Sequence, residues 1–212
     1  MAVQREPLSL SGPAGNIEAL MEYNDDGEPH FIAVVCHPHP LFSGSMDNKV
    51  VTSLFRAARD AGGVALRFNF RGVGESQGVH GEGLTESEDL LVVINWLKQR
   101  WPGLPVWLAG FSFGSWVALR GAEAQAIAEQ PVSHLLLVAP PVHNNDFAGV
   151  TNTACPVTVV IGEEDEVVPV AKMLAWAESS PLDADVLRFP VSGHFFHGQL
   201  NELMEVARQT FP

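Results

Sequence analysis

The sequence is poor in positive charge, in cysteine and in long apolar runs. Lysine and arginine number 12 against 25 aspartates and glutamates, a formal net charge of −13. Nucleic acid demands a basic footprint, and anionic membranes attract clustered cations. Neither partner is expected. No apolar run approaches the ~20 residues of a membrane-spanning helix. Met1 to Leu10 carries neither a long apolar core nor a small-residue cleavage site, so it does not read as a secretory signal. A cytoplasmic location is the expectation. Two cysteines, Cys36 and Cys155, make no disulfide framework in 212 residues. They read as buried, reduced thiols that act as small hydrophobes.

Two kinds of binding motif are also missing. Gly72-x-Gly74 lacks both the third glycine of a dinucleotide fingerprint and the Lys-Ser/Thr of a phosphate loop. It reads as a tight turn that brings Arg71 and Glu75 near the floor of a site, with Arg71 in a structural hydrogen-bond network. His37 and His39 are close in sequence. Prolines interrupt them, and no carboxylate or thiolate stands at metal-ligand spacing. No cofactor and no metal are expected.

What is present is a strand, a sharp turn and a helix around one serine. Val106 to Ala109 is an apolar run that ends at Gly110-Phe111-Ser112-Phe113-Gly114. A long alanine-rich segment, 113–129, follows as a helix. That order is what a Gly-x-Ser-x-Gly nucleophile elbow requires. Small residues two before and two after Ser112 let the chain turn sharply. The N–H of Phe113 falls at the helix N-terminus, where developing negative charge is favoured.

Along the chain, short strands at 8–10 and 17–23 flank a Ser-Gly-Pro-Ala-Gly turn. A polar loop follows at 24–29, then a buried strand at 31–36 and a Pro/Gly-rich loop at 37–44 that reads as irregular. Helices are predicted at about 49–60, capped by Asp47 or Asn48, and at 86–100, capped by Thr85 with Glu88 as its capping-box partner. Further strands fall at 64–68, 134–138, 157–161 and 185–189, and further helices at 170–177 and about 199–210. Strands alternating with helices predict an α/β fold, a mostly parallel twisted sheet with helices on both faces. No linker, repeat or low-complexity tract divides residues 1–212, which read as one domain.

A serine hydroxyl is a weak nucleophile until a base takes its proton, and the base needs a carboxylate to hold it. Such groups collect past the carboxyl ends of parallel strands. Beyond strand 157–161 lies Gly162-Glu-Glu-Asp165-Glu-Val-Val-Pro169. Asp165 is the expected acid, and the glutamates are left to the helix dipole. Beyond strand 185–189 lies Gly193-His194, with His197 as a rival base. The order Ser112, Asp165, His194 is the one expected of an α/β-hydrolase scaffold. An oxyanion hole needs two N–H donors. Phe113 is one. Pro38 and Pro40 have no N–H to give, which leaves His39 and Leu41, and Leu41 is preferred because it precedes Phe42-Ser43-Gly44.

At these residues the chain resembles the α/β-hydrolase superfamily, and more closely the small, lidless serine α/β-hydrolases of bacteria that are related to dienelactone hydrolases. The resemblance rests on residues 37–49, 68–76, Gly110–Gly114, 162–169 and 193–198, in order along nearly the whole chain. It implies Ser112 as nucleophile, Asp165 as orienting acid and His194 as base. Serine replaces the cysteine nucleophile of dienelactone hydrolases, so that activity does not carry over. Only Ala139 to Pro156 joins two strands where many relatives insert a helical lid. The expected activity is hydrolysis of carboxylic esters with short or accessible acyl groups. A thioesterase or small-peptide hydrolase would use the same triad, and a non-catalytic binding module would use the same scaffold. The expected partner is a small acyl substrate. A homodimer could form through a sheet edge or the face holding Trp176.

Overall fold

The computed structural model describes residues 2–25 and 27–212. Met1 lies outside the described residues, as does Asp26 of the polar 24–29 loop. A hairpin opens the chain, β1 (Val3–Gly12) and β2 (Gly15–Asn24), paired antiparallel from end to end. It is longer than its apolar pattern implies. β1 is an edge strand with little buried surface, so its outer half has no hydrophobic alternation to read. Pro7 is tolerated there because an edge strand leaves one side of its ladder unpaired.

Six parallel strands follow: β3 (Phe31–Cys36), β4 (Gly63–Phe68), β5 (Val106–Phe111), β6 (His134–Val138), β7 (Val157–Gly162) and β8 (Asp185–Phe189). They lie in one sheet with β1 and β2, in the order β1-β2-β4-β3-β5-β6-β7-β8. Alternate residues of each strand enter opposite layers. On β3, Ile32, Val34 and Cys36 join one core, while Phe31, Ala33 and Val35 join the other.

Helices α2 (Leu84–Arg100), α3 (Phe113–Ile127) and α4 (Val170–Ser179) cover the first core. Helices α1 (Lys49–Asp60) and α5 (Leu200–Arg208) cover the second and pack on each other. This is the mostly parallel sheet with helices on both faces predicted from the alternating pattern. No helix among the described residues is long and apolar enough to cross a membrane.

The helix starts explain themselves. Asn48 caps α1 by accepting the N–H of Val50 at 2.9 Å. The start of α2 differs from the expected Thr85 cap. Gly83 is the cap at φ 96°, and Glu86 accepts its N–H at 2.7 Å. A Cβ on Gly83 would collide with the Trp116 indole, so glycine serves both the dihedral and the packing. Between β6 and β7 only one short 3₁₀ turn, Phe147–Gly149, interrupts the 139–156 connection. No lid is built there. The Trp176 face offers no exposed indole, because Trp176 is buried against Phe147 at 5.2 Å between ring centroids.

With six strands running the same way, the segments after their carboxyl ends share one edge of the sheet. Ser112, Asp165 and His194 all lie in those segments.

Candidate active site

Ser112 sits between β5 and α3 with φ 52° and ψ −123°. For a side chain larger than glycine this is a costly conformation, and it persists only where the surroundings over-determine it. They do. Its N–H donates to the carbonyl of Val138 at 2.8 Å. Its own carbonyl accepts the Ser115 N–H at 2.8 Å and the Ser115 hydroxyl at 2.6 Å. The neighbouring glycines are needed for space. A Cβ on Gly110 would strike the Gly114 carbonyl, and one on Gly114 would strike the Cys36 carbonyl.

His194 reaches across from the segment after β8. Its Nε2 lies 3.0 Å from Ser112 Oγ, and its Nδ1 lies 2.8 Å from Asp165 Oδ2. The carboxylate can only accept, so Nδ1 carries the proton and Nε2 offers its lone pair to the serine hydroxyl. The other oxygen, Oδ1, accepts the N–H groups of Val167 at 2.8 Å and Val168 at 2.7 Å. Both ring and carboxylate are shut from water. Low local dielectric strengthens these bonds and fixes their directions. His197 is exposed and stacks on Phe195 without touching Ser112 or Asp165.

Among the backbone N–H groups near Ser112, two without an acceptor among the described residues stand on either side of the cavity floor. One is Phe113, at the first turn of α3, and the other is His39. The Leu41 N–H, the donor preferred from the sequence, is engaged. Pro40–Phe42 forms a single 3₁₀ turn, and the Leu41 N–H is already donated to His39 Nδ1 at 3.2 Å. The Pro/Gly-rich loop thus holds one short regular piece, and its cap consumes the donor that sequence reasoning favoured. The rings of His39 and Phe113 pack together at 4.7 Å, so the two free N–H groups belong to touching residues.

The loop is anchored from below by His37, which is fully buried. Its Nδ1–H donates to the Pro38 carbonyl at 2.6 Å, and its Nε2 accepts the Phe70 N–H at 2.9 Å. Burial pushes the His37 imidazole down to about 4, so it stays neutral. Cys36, beneath it, has its thiol pushed up by burial and is inert as a nucleophile. Arg71 forms a bidentate pair with Asp89, both contacts 2.7 Å, inside the protein. The expected structural network is there, but it lies off the cavity. Glu75 is exposed and donates its N–H to the Glu18 carboxylate at 2.8 Å. With a carboxylate already in that turn, Gly72-x-Gly74 holds an internal acceptor and not a phosphate.

A cavity of about 360 Å³ opens above Ser112. Ser112 and Phe113 form its floor, with His39, His80 and Glu82 on one side and Pro141, His143, Asn144 and Asn145 on the other. Leu41, Phe42, Val167 and Val168 complete the lining. Burial holds the His39 and His143 imidazoles below their ordinary range, with His80 adding to the effect on His39 and Lys172 on His143. No three of His, Cys, Asp and Glu among the described residues gather as metal ligands. The arrangement suits attack by an activated hydroxyl on an electrophilic carbon held at the cavity floor.

Solved structures share this architecture. An α/β serine hydrolase homologue from Coxiella burnetii is 40% identical, covering 98% of this chain and 97% of its own, with a TM-score of 0.87. A serine hydrolase without a lid from Xanthomonas campestris is 35% identical, covering 99% and 94%, with a TM-score of 0.89. The chain belongs to the lidless α/β serine hydrolases. An uncharacterised protein of Rickettsia prowazekii is also related, 38% identical over 167 residues, 76% of this chain and 67% of its own length. No family model matches.

Three residues of this lidless hydrolase's site escaped sequence reasoning. Glu166 was grouped with the helix-dipole glutamates, yet it accepts the backbone N–H of His194 at 3.1 Å. His80 and His143 lie in connections whose path the sequence does not fix, and no local motif marks either of them. Glu86 ties the His80 loop down by accepting the N–H groups of Gly81 at 2.8 Å and Gly83 at 2.7 Å. Its position three residues after Gly83 is the one signal that could have found it.

Proposed function

We propose that this hydrolase cleaves carboxylic esters through Ser112, His194 and Asp165. His194 Nε2 takes the Ser112 proton as Oγ attacks the acyl carbon. The alkoxide that forms is held by the N–H groups of Phe113 and His39. His194 then gives its proton to the leaving alcohol oxygen, and an acyl-Ser112 ester remains. Water, deprotonated by the same imidazole, attacks that ester. The acid departs and Ser112 recovers its proton. Asp165 holds the ring in the required tautomer and stabilises the imidazolium between steps. No redox or metal step enters this sequence.

The observation that carries the reading is the continuous line from Asp165 Oδ2 through His194 to Ser112 Oγ, at 2.8 and 3.0 Å, ending on a serine held at φ 52°. The cavity lies open above Ser112 with no lid over it, which suits an accessible ester. The single sheet running from β1 to β8 supports treating the chain as one domain.

The test is rapid mixing with p-nitrophenyl acetate, followed by mass analysis. We expect a burst of p-nitrophenol, a transient acetyl group on the Ser112 peptide, and neither in Ser112→Ala. Matched thioester and amide substrates set the preference among leaving groups. Acetyl transfer to another residue, or no burst from the folded protein, would overturn the assignment.

A further inference from the structure

His80 belongs to the cavity wall, yet its ring nitrogens are not open to the cavity. The side chain is 11% exposed, and both nitrogens are shut from solvent. Neither completes a hydrogen bond among the described residues. Glu86 Oε1 stands 3.0 Å from Nδ1, off the line of an N–H bond. A ring that only filled space would be less costly as phenyl, because a buried polar atom without a partner lowers stability. The contact with Glu86 is what the imidazole adds.

The ring lies against the two residues proposed to hold the oxyanion. The His80 centroid is 4.8 Å from that of His39 and 5.3 Å from that of Phe113. His39 and Phe113 come from separate segments, one after β3 and the other after β5. His80 comes from a third, between β4 and α2, and packs on both.

Glu86 anchors that third segment. It is fully buried in the first turn of α2, and besides facing His80 it accepts the N–H groups of Gly81 at 2.8 Å and Gly83 at 2.7 Å. A carboxylate shut from water needs such partners. Its ion-pair contact among the described residues is His80. Gly83 packs in turn on the Trp116 indole of α3, the helix that Phe113 opens. Residues 80–83 are therefore pinned to α2 and lean on α3.

We infer that His80, located by Glu86, is a positioning residue of the oxyanion hole, holding the rings of His39 and Phe113 and through them the spacing of their backbone N–H groups. This rests on the ester-hydrolase reading and on His39 as the second donor. Its effect falls on the transition state, because donors must lie about 2.7–3.1 Å from the oxyanion and not from the ground-state carbonyl. An interaction made only there changes kcat and leaves KM alone.

The experiment has a kinetic arm on p-nitrophenyl acetate. His80→Ala and His80→Gln, which have no ring, should lose kcat by about tenfold with KM unchanged, less than the ~10²-fold or more that losing a donor outright costs. His80→Phe keeps the ring but not the contact with Glu86, and should recover part of the loss. Glu86→Gln should lose about as much as His80→Phe, and the two together no more than either, because both break one contact. Val79→Ala is the control, at a position 82% exposed beside His80, and should match the wild type. Circular dichroism verifies folding, and His80→Gln stands in if His80→Ala does not fold.

The second arm reads the oxyanion itself. A trifluoromethyl ketone takes Ser112 Oγ onto its carbonyl carbon, the serine proton passes to His194, and the oxygen is left negative in the hole. Its inhibition constant should weaken in the ring-less variants by the same factor as kcat. That of the matching methyl ketone, bound without addition, should be unchanged. Equal weakening of both ketones, or a loss carried by KM, would put His80 in substrate contact and overturn the inference. Full kcat in His80→Gln, no recovery in His80→Phe, or losses that multiply in the double variant would also overturn it. All of these outcomes leave ester hydrolysis standing. A folded wild type that gives no burst of p-nitrophenol overturns the ester reading and this inference together.

Discussion

Glu166 accepts the backbone N–H of His194 at 3.1 Å, one residue along from the carboxylate that grips the same histidine's ring. Two adjacent acids therefore fix one histidine, the first by its side chain and the second by its main chain. The His194 N–H holds the Glu166 carboxyl below the usual carboxylate range. Glu166→Ala is expected to lower kcat by about tenfold or less with KM unchanged, since the side chain is exposed and the bond is partly replaced by water. Glu166→Gln, which keeps an acceptor, should recover most of the loss. The contribution of the wild-type carboxylate is present above its own depressed pKa and fades as pH falls through it. A drop in KM-dependent binding, with kcat untouched, would place Glu166 in substrate contact instead.

The proposed oxyanion donors are separable by a backbone substitution. His39 has φ −57°, which proline adopts without strain. His39→Pro should remove the N–H and reduce kcat by 10²- to 10³-fold, the usual cost of one oxyanion donor. His39→Ala keeps the N–H and should retain most activity. Leu41→Ala should act like the wild type on methyl acetate. Steady-state kinetics on all three, with circular dichroism to verify folding, checks this. Equal losses in His39→Pro and His39→Ala would move the role from the backbone to the imidazole.

His37 makes the loop that carries His39 sensitive to acid. Its pKa is about 4 in the folded chain against about 6.5 when unfolded. Between those values the unfolded chain binds the extra proton, so stability rises with pH through this window and is lost as pH falls. The difference amounts to roughly 3 kcal/mol. Denaturation midpoints should therefore fall from pH 7 to pH 4. His37→Gln, less stable at pH 7, should show a flatter profile. The slope should not vanish, because burial also depresses His134 and His143. An NMR titration of the His37 imidazole reads the same property directly. A midpoint near 6.5 would contradict the buried, neutral assignment.

Much of this molecule was legible in the chain. Strands with continuous apolar runs, such as 31–36, were readable because burial on both faces leaves no polar position. The elbow was readable because a strained serine needs small residues beside it. Ser112, Asp165 and His194 were readable because each lies in the segment after the carboxyl end of a parallel strand. What the sequence withheld depends on loop paths. The outer half of β1 has no buried face to mark it. The Thr85 cap lost to Gly83 because Trp116, distant in sequence, packs where a Cβ would stand. The engagement of the Leu41 N–H by a side-chain acceptor two residues back is likewise a matter of loop path. His80 and His143 reach the cavity through connections without periodicity, so nothing local announces them.

The most direct test of the central claim is labelling by a fluorophosphonate probe in the folded wild type, Ser112→Ala and His194→Ala, with mapping of the tagged peptide. The account predicts a tag on Ser112 in the wild type and none in either variant. The first variant lacks the nucleophile and the second lacks the base 3.0 Å from it. Labelling at another residue, or undiminished labelling of Ser112 in His194→Ala, would contradict it.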